Sequence, residues 1–186
     1  MKKYLILLFA ALSFSLVGCD DDTEPGGTAV EKMAGDWWVT NTQSLDEYNF
    51  LFNSVGAMPN ENDIENWEWD YIYDDTHSLM YTYNTAANIP TEMFIADDKH
   101  FWDYKVKAKV NYQARTFECP TTANLAYDDC DVTIIKGQVL EGAATTPSGM
   151  PADSIIFYIK FSDDQYGFTY TKVSGFRRTG FPADDF

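Results

Sequence analysis

Basic residues are scarce in this chain. Thirteen lysines and arginines stand against 29 aspartates and glutamates in 186 residues, a formal charge of −16. A surface of that sign repels nucleic-acid phosphates and anionic bilayers, which excludes nucleic-acid binding. Histidine is scarcer still. His77 follows Asp74-Asp75-Thr76 and His100 follows Asp97-Asp98-Lys99, so each reads as a solvated turn residue rather than a catalytic base. The chain has no G-x-S-x-G elbow, Gly-rich phosphate loop, D-x-[DN]-x-[DN]-G calcium loop or zinc-type His/Cys spacing. No metal or cofactor is therefore expected. Ser148 and Ser154 lie in a Pro/Gly-rich loop, and nothing in the sequence sets a histidine beside them. Glu65, Glu68, Asp70, Asp103 and Glu118 sit among aromatic residues as glycosidase-type carboxylates would, but with 29 acidic residues such proximity is expected by chance.

Long apolar runs are also missing, except at the N-terminus. Lys2 and Lys3 precede an apolar stretch from Tyr4 to Leu16, too short to span a membrane, and Leu16-Val17-Gly18-Cys19 closes it. This tetrad resembles a lipobox, with Cys19 the acylated residue; the alternative is an ordinary secretory signal. Residues 1–18 are then a lipoprotein signal peptide, and removing Lys2 and Lys3 takes the formal charge from −16 to −18. Residues 19–32, beginning Cys19-Asp20-Asp21-Asp22, read as an acidic flexible tether. Acidic residues directly after the cysteine resemble the surface-export signal of Bacteroidota-type lipoproteins, with a plain linker as the alternative. The expected location is the outer membrane, lipid-anchored through Cys19 and facing either the periplasm or the cell surface.

Only three cysteines occur, and with Cys19 acylated, Cys119 and Cys130 remain. In an exported protein such a pair is expected to be oxidised, closing the turn-rich segment between them with a structural disulfide. The spacing fits neither a CxxC redox site nor a metal site.

The aromatic fraction is 16%, and from Gly35 onward the dominant period is two. Trp102, Tyr104, Val106, Ala108, Val110 and Tyr112 share one face, opposite Asp103, Lys105, Lys107, Lys109 and Asn111. Ile155, Phe157, Ile159 and Phe161 form a second apolar stripe. Further strands are predicted over 37–42, 67–73, 79–84, 92–96, 115–119, 131–135, 138–142 and 167–177. The turns between them are expected at Asp97-Asp98, Asp128-Asp129, Lys136-Gly137 and Asp163-Asp164. At most one short helix is predicted, near residues 44–55, with Ser44 and Glu47 forming a capping box; Met58 to Ile64 reads as a loop.

One all-β domain over residues 33–186 follows. A sandwich and an up-and-down barrel both suit many short antiparallel strands. Gly35-Asp36-Trp37 at the start and Arg177-Arg178 at the end favour the barrel. A tryptophan on the first strand covered by a terminal arginine resembles the sealed floor of lipocalin-like folds. The expectation is an antiparallel barrel of about 8–10 strands, with Trp38 facing away from Trp37.

Several segments together resemble the lipid-binding putative hydrolase family of lipoproteins. They are Gly35-Asp36-Trp37-Trp38, Tyr83-Asn84-Thr85-Ala86-Ala87-Asn88, Phe101-Trp102-Asp103-Tyr104-Lys105, the run from Gly142 to Gly149, Pro151-Ala152-Asp153-Ser154-Ile155 and the run from Val173 to Phe181. The resemblance implies a calycin-type barrel and a lipid-like ligand, and it brings no catalytic residues. The expected function is binding of a lipid or other small apolar ligand inside the barrel, without catalysis. The resemblance favours a cavity lined by Trp102, Tyr104, Ile155, Phe157, Ile159 and Phe161, with the same side chains filling the barrel as a dry core as the alternative. Two alternatives stand beside this function: a lipid or ester hydrolase, and a glycan-binding surface lipoprotein using Trp67, Trp69, Tyr71 and Tyr73. That stripe reads equally as a barrel-lining face or an oligomer contact and is by default buried, since Glu68 and Asp70 lie on the opposite face.

Overall fold

The computed structural model describes residues 27–72, 77–97 and 101–186. The predicted signal peptide, Cys19, the start of the tether, Tyr73, Asp98 and His100 lie outside them. The described strands are β1 (Gly35–Ser44), β2 (Trp69–Asp70), β3 (Ser78–Asn84), β4 (Glu92–Asp97), β5 (Tyr104–Asn111), β6 (Thr116–Ala123), β7 (Asp131–Thr145), β8 (Pro151–Phe161) and β9 (Thr171–Arg177). Every pairing is antiparallel and, apart from β2, follows chain order. β1 also pairs with β9, from Trp37↔Arg177 to Gln43↔Thr171, so eight strands close into a barrel. β2 is an appendage, joined to the end of β1 at Gln43↔Asp70 and Ser44↔Trp69. Closure gives the two outermost strands of the ring each other as partners and removes the exposed edges of an open sheet.

Alternation decides what lies inside. Trp37, Val39, Met80, Met93, Ile95, Val106, Ile134, Ile155, Phe157, Ile159 and Val173 are buried in one cluster. Intervening residues such as Lys105, Lys107 and Lys160 point outward. Trp38 faces the outer side, where its indole N–H donates to Asp185 Oδ1 at 2.9 Å.

Closure depends on one glycine. A Cβ on Gly175 would lie 2.0 Å from the Trp38 carbonyl oxygen and 2.6 Å from Val39 Cα. These are backbone atoms of the neighbouring strand and cannot swing aside. Gly137 serves a similar purpose for a side chain, since its Cβ would lie 2.3 Å from the Phe117 ring.

The strands predicted over 131–135 and 138–142 are a single strand, β7. Lys136-Gly137 is not a turn between them. Lys136 takes a left-handed conformation (φ 51°), and the β7–β8 register shifts between Ile135 and Gln138. A bulge therefore bends one long strand where the sequence pattern reads as punctuation. The segment predicted as a strand over 67–73 contributes only β2, and residues 61–66 form a 3-10 turn.

The helix α1 (Leu45–Asn53) starts where predicted, with Ser44 Oγ accepting from Glu47 N at 3.1 Å. Glu47 does not complete a capping box. Its carboxylate is buried and accepts from Thr169 N at 3.0 Å, tying the helix to the segment before β9.

Cys119 and Cys130 are both free. The expected disulfide fails on register. Cys119 pairs with Ile134 on β7, whereas the Cys130 carbonyl accepts from Asn124 N, five residues further on. Ile134 and Cys130 are four residues apart along one chain, roughly 13 Å of extended strand. That is about twice the Cα separation a disulfide spans.

The C-terminus clasps the outside of β1. Arg178 forms an ion pair with Asp185, and Phe186 packs against Trp38 and His77. Burial works against the charge on Asp184, but hydrogen bonds from Thr179, Ser148 and Thr146 outweigh it and hold the carboxyl at about 2. Hydrogen bonds from Arg178 and Trp38 hold Asp185 at about 2 as well.

Two outcomes follow. Gly175→Ala should lower the urea-unfolding midpoint, with a loss of about 1–3 kcal/mol of stability. Gly137→Ala should lose less, because the Phe117 ring can shift. The depressed carboxyls of Asp184 and Asp185 make the clasp's contribution complete above their ordinary value near 3.8. That contribution fades as pH falls toward 2. A melting-temperature series from pH 5 to 2 should fall less steeply for Asp184→Asn/Asp185→Asn than for the parent chain.

Candidate functional site

The candidate site is the barrel interior, which is built in layers. At the floor, a turn over residues 28–34 inserts Val30 and Met33, both fully buried, beneath Trp37. The packed domain thus begins before the predicted boundary at residue 33. The Trp37 indole N–H donates to Thr82 Oγ1 at 2.8 Å, and Thr82 Oγ1 donates to the Met33 carbonyl at 2.6 Å. Arg177 covers the indole, with its guanidinium carbon 4.6 Å from the ring centroid. It also donates to the Ala34 and Lys32 carbonyls and pairs with Asp153 at 3.2 Å. Arg178 is not part of the floor; it belongs to the outer clasp.

Above the floor, the interior is apolar. Five of the six predicted lining residues, Tyr104, Ile155, Phe157, Ile159 and Phe161, belong to the buried cluster, and Trp102 packs against it partly buried. Phe117 meets Phe157 edge to face at 5.6 Å.

Toward the opposite end the same inward face turns polar. Asn41, Gln43, Ser78, Asp97, Tyr104 and Thr171 are all buried. Asn41 Nδ2 donates to Ser78 Oγ at 2.7 Å, and Gln43 Oε1 is buried without a hydrogen-bond partner. Burial, helped by the nearby Asp97 charge, pushes the Tyr104 phenol well above its usual value. Asp97 was expected in a solvated turn and instead ends β4 facing inward. Its position was readable, because it keeps the parity of Met93 and Ile95. Asn41 and Gln43 likewise keep the parity of Trp37 and Val39, but a search for apolar stripes passes over polar residues in phase with them.

An aromatic cap closes this end. Trp102 stacks on Phe161 at 4.6 Å and 7° between planes, and its N–H donates to Tyr127 Oη at 2.9 Å. Tyr127 in turn donates to Asp163 Oδ2 at 2.7 Å.

The other candidates scatter. Trp67 is only 7% exposed and stacks on Trp69 at 5.6 Å. With Ile64, Tyr158 and Tyr170 these residues form a second core outside the barrel. Burial in this second core withdraws Trp67 from a sugar platform, and Trp69 is half-buried against it. Glu65 pairs with Lys136 at 2.7 Å on the outer wall. Ser148 shares a hydrogen bond with Thr146, Ser154 donates to the Gly175 carbonyl, and the His77 ring lies flat against Phe186 at 3.5 Å. Among the described residues no group of three or more His, Cys, Asp or Glu is placed to hold a metal ion.

A closed eight-strand antiparallel barrel with a sealed floor and an apolar interior defines a small barrel of the lipocalin-like class. The family model described as lipid-binding putative hydrolase matches residues 22–182, and the chain belongs to that family. No curated protein matches the sequence.

Arg177→Lys keeps the charge but loses the planar stack on Trp37 and part of the two-carbonyl grip. Chemical unfolding should show a loss of about 0.5–2 kcal/mol, together with a change in tryptophan emission from the floor.

Proposed function

We propose that the protein is a lipid-anchored extracytoplasmic carrier that holds a lipid or other small apolar ligand in its barrel without hydrolysing it. The observation that carries this reading is the interior itself, where an apolar layer lies beneath a buried polar layer inside a closed wall, in a chain of a lipid-binding family. That sequence of layers suits an amphiphile whose chain replaces protein–protein contacts with equivalent apolar ones. The aromatic cap is built from side chains rather than from backbone ladder, so its rearrangement costs no strand pairing. Support for a non-catalytic role comes from the hydroxyls and the ring a hydrolase would use. Ser148 and Ser154 are held by Thr146 and a backbone carbonyl, and His77 is stacked on Phe186. The lipobox-like tetrad ending at Cys19 supports attachment to the outer membrane, with the domain facing the periplasm or the cell surface.

Mass spectrometry tests each part. Native spectra of the chain from residue 19 carrying Cys19→Ser should show a co-purified lipid mass that organic extraction removes. An added lipid ester should be recovered intact from the complex. The full chain extracted from membranes should have lost residues 1–18 and gained acyl mass on Cys19. An empty protein that also ignores a lipid panel overturns the carrier reading. Repeated release of free acid from the ester overturns the non-catalytic part, and an unmodified Cys19 overturns the anchor.

A further inference from the structure

The wall of the barrel is not uniformly laced. β5 and β6 pair only at Lys109↔Glu118, Val110↔Phe117 and Asn111↔Thr116. They meet again where Leu125 N donates to the Lys105 carbonyl at 2.9 Å and Lys105 N donates to Asn124 Oδ1 at 3.0 Å. Between these two fixed points β5 advances from residue 105 to 109, whereas the opposing segment runs from 118 to 125. The longer segment must bow away from the shorter one. Its register with β7 shifts on both sides of Cys119, and Pro120 has no N–H to offer β5.

A depression of about 460 Å³ lies over this gap. Its lining includes Lys107, Ala108 and Lys109 on one side and Cys119 and Pro120 on the other, with Glu92 beside Lys107. Ala108 and Cys119 are also inward-facing members of the buried cluster, so the depression and the interior share these two small side chains as their partition. The Cys119 thiol lies 3.6 Å from the Lys107 carbonyl, a weak contact in place of a ladder hydrogen bond. Outside, Lys107 and Lys109 flank the gap in a chain of net charge −16, with Lys107 paired to Glu92 at 3.3 Å.

We propose that the β5–β6 gap is the lateral passage by which a single-chain anionic amphiphile of the fatty-acid class reaches the interior. The chain passes between Ala108 and Cys119, and the carboxylate stays outside on Lys107 and Lys109. This rests on the carrier reading above and adds to it the route and the ligand class.

The test uses dansyl-labelled undecanoic acid and the chain from residue 19 with Cys19→Ser and Cys130→Ser. Extending the register places residue 108 opposite Cys119, so Ala108→Cys can be oxidised to bridge the gap, with closure checked by thiol titration. Bridging should slow association of the probe about tenfold or more, and reductant should restore it. Lys107→Gln/Lys109→Gln should weaken the probe about fivefold and leave its uncharged amide analogue unchanged. In the chain that keeps Ala108, saturating probe should slow alkylation of Cys119. Equal association rates in the bridged and reduced forms overturn the passage. If the bridge does not form, an unchanged alkylation rate overturns it instead. Unchanged affinity in the lysine variant overturns the anionic class. In each of these cases binding itself persists, so the carrier reading stands. No binding of either probe by the parent chain, together with empty native spectra, overturns both.

Discussion

The β1–β9 ladder is the contact on which the rest of this structure depends. Seven residue pairs join the two ends of the barrel wall, and without them the eight ring strands would form an open twisted sheet with unpaired end strands. Once the ring closes, the inward face of every strand shares one enclosed volume, and side chains far apart in sequence must fill it together. Gly175 permits the close approach, Trp37 fills the space beneath it, and Arg177 seals that space from outside. Floor, wall and interior are thus consequences of one closure.

Charge follows the same geometry. The acidic excess is spread over the outer surface and the turns, while the few cations are placed where they have structural work. Arg177 covers an indole, Arg178 holds the C-terminal Asp185, and Lys105 lies over the Phe94 ring. Lys107 and Lys109 differ in that they border a stretch of the described wall where β5 and β6 separate in mid-course. The interior grades from apolar at the floor to polar beneath the aromatic cap, a polarity gradient along the barrel axis of the kind an amphiphile has along its own length.

Much of this was legible in the sequence. Alternation placed Tyr104, Ile155, Phe157, Ile159 and Phe161 on inward faces, because a pleated strand buries every second residue whatever its partners. Ser44 marked the helix start for an equally local reason, its hydroxyl meeting an amide three residues on. Reading failed where a local signal has two meanings. Lys136-Gly137 is good turn chemistry, but here the same left-handed residue makes a bulge, and the glycine is there to admit Phe117. Trp67 and Trp69 alternate like strand residues, yet they pack as a satellite core around a 3-10 turn. Cys119 and Cys130 are near in sequence and far apart on the ladder.

The sequence by itself determined the all-β class, the alternation of inward and outward residues, the helix cap and the family, since each is written in short-range order along the chain. Only the tertiary structure decided the closing pair of strands, the state of the two thiols, the buried polar layer and the gap between β5 and β6. Those depend on register, meaning which residue of one strand lies opposite which of another. Register is set by the sum of contacts across the barrel, to which no single segment holds the key.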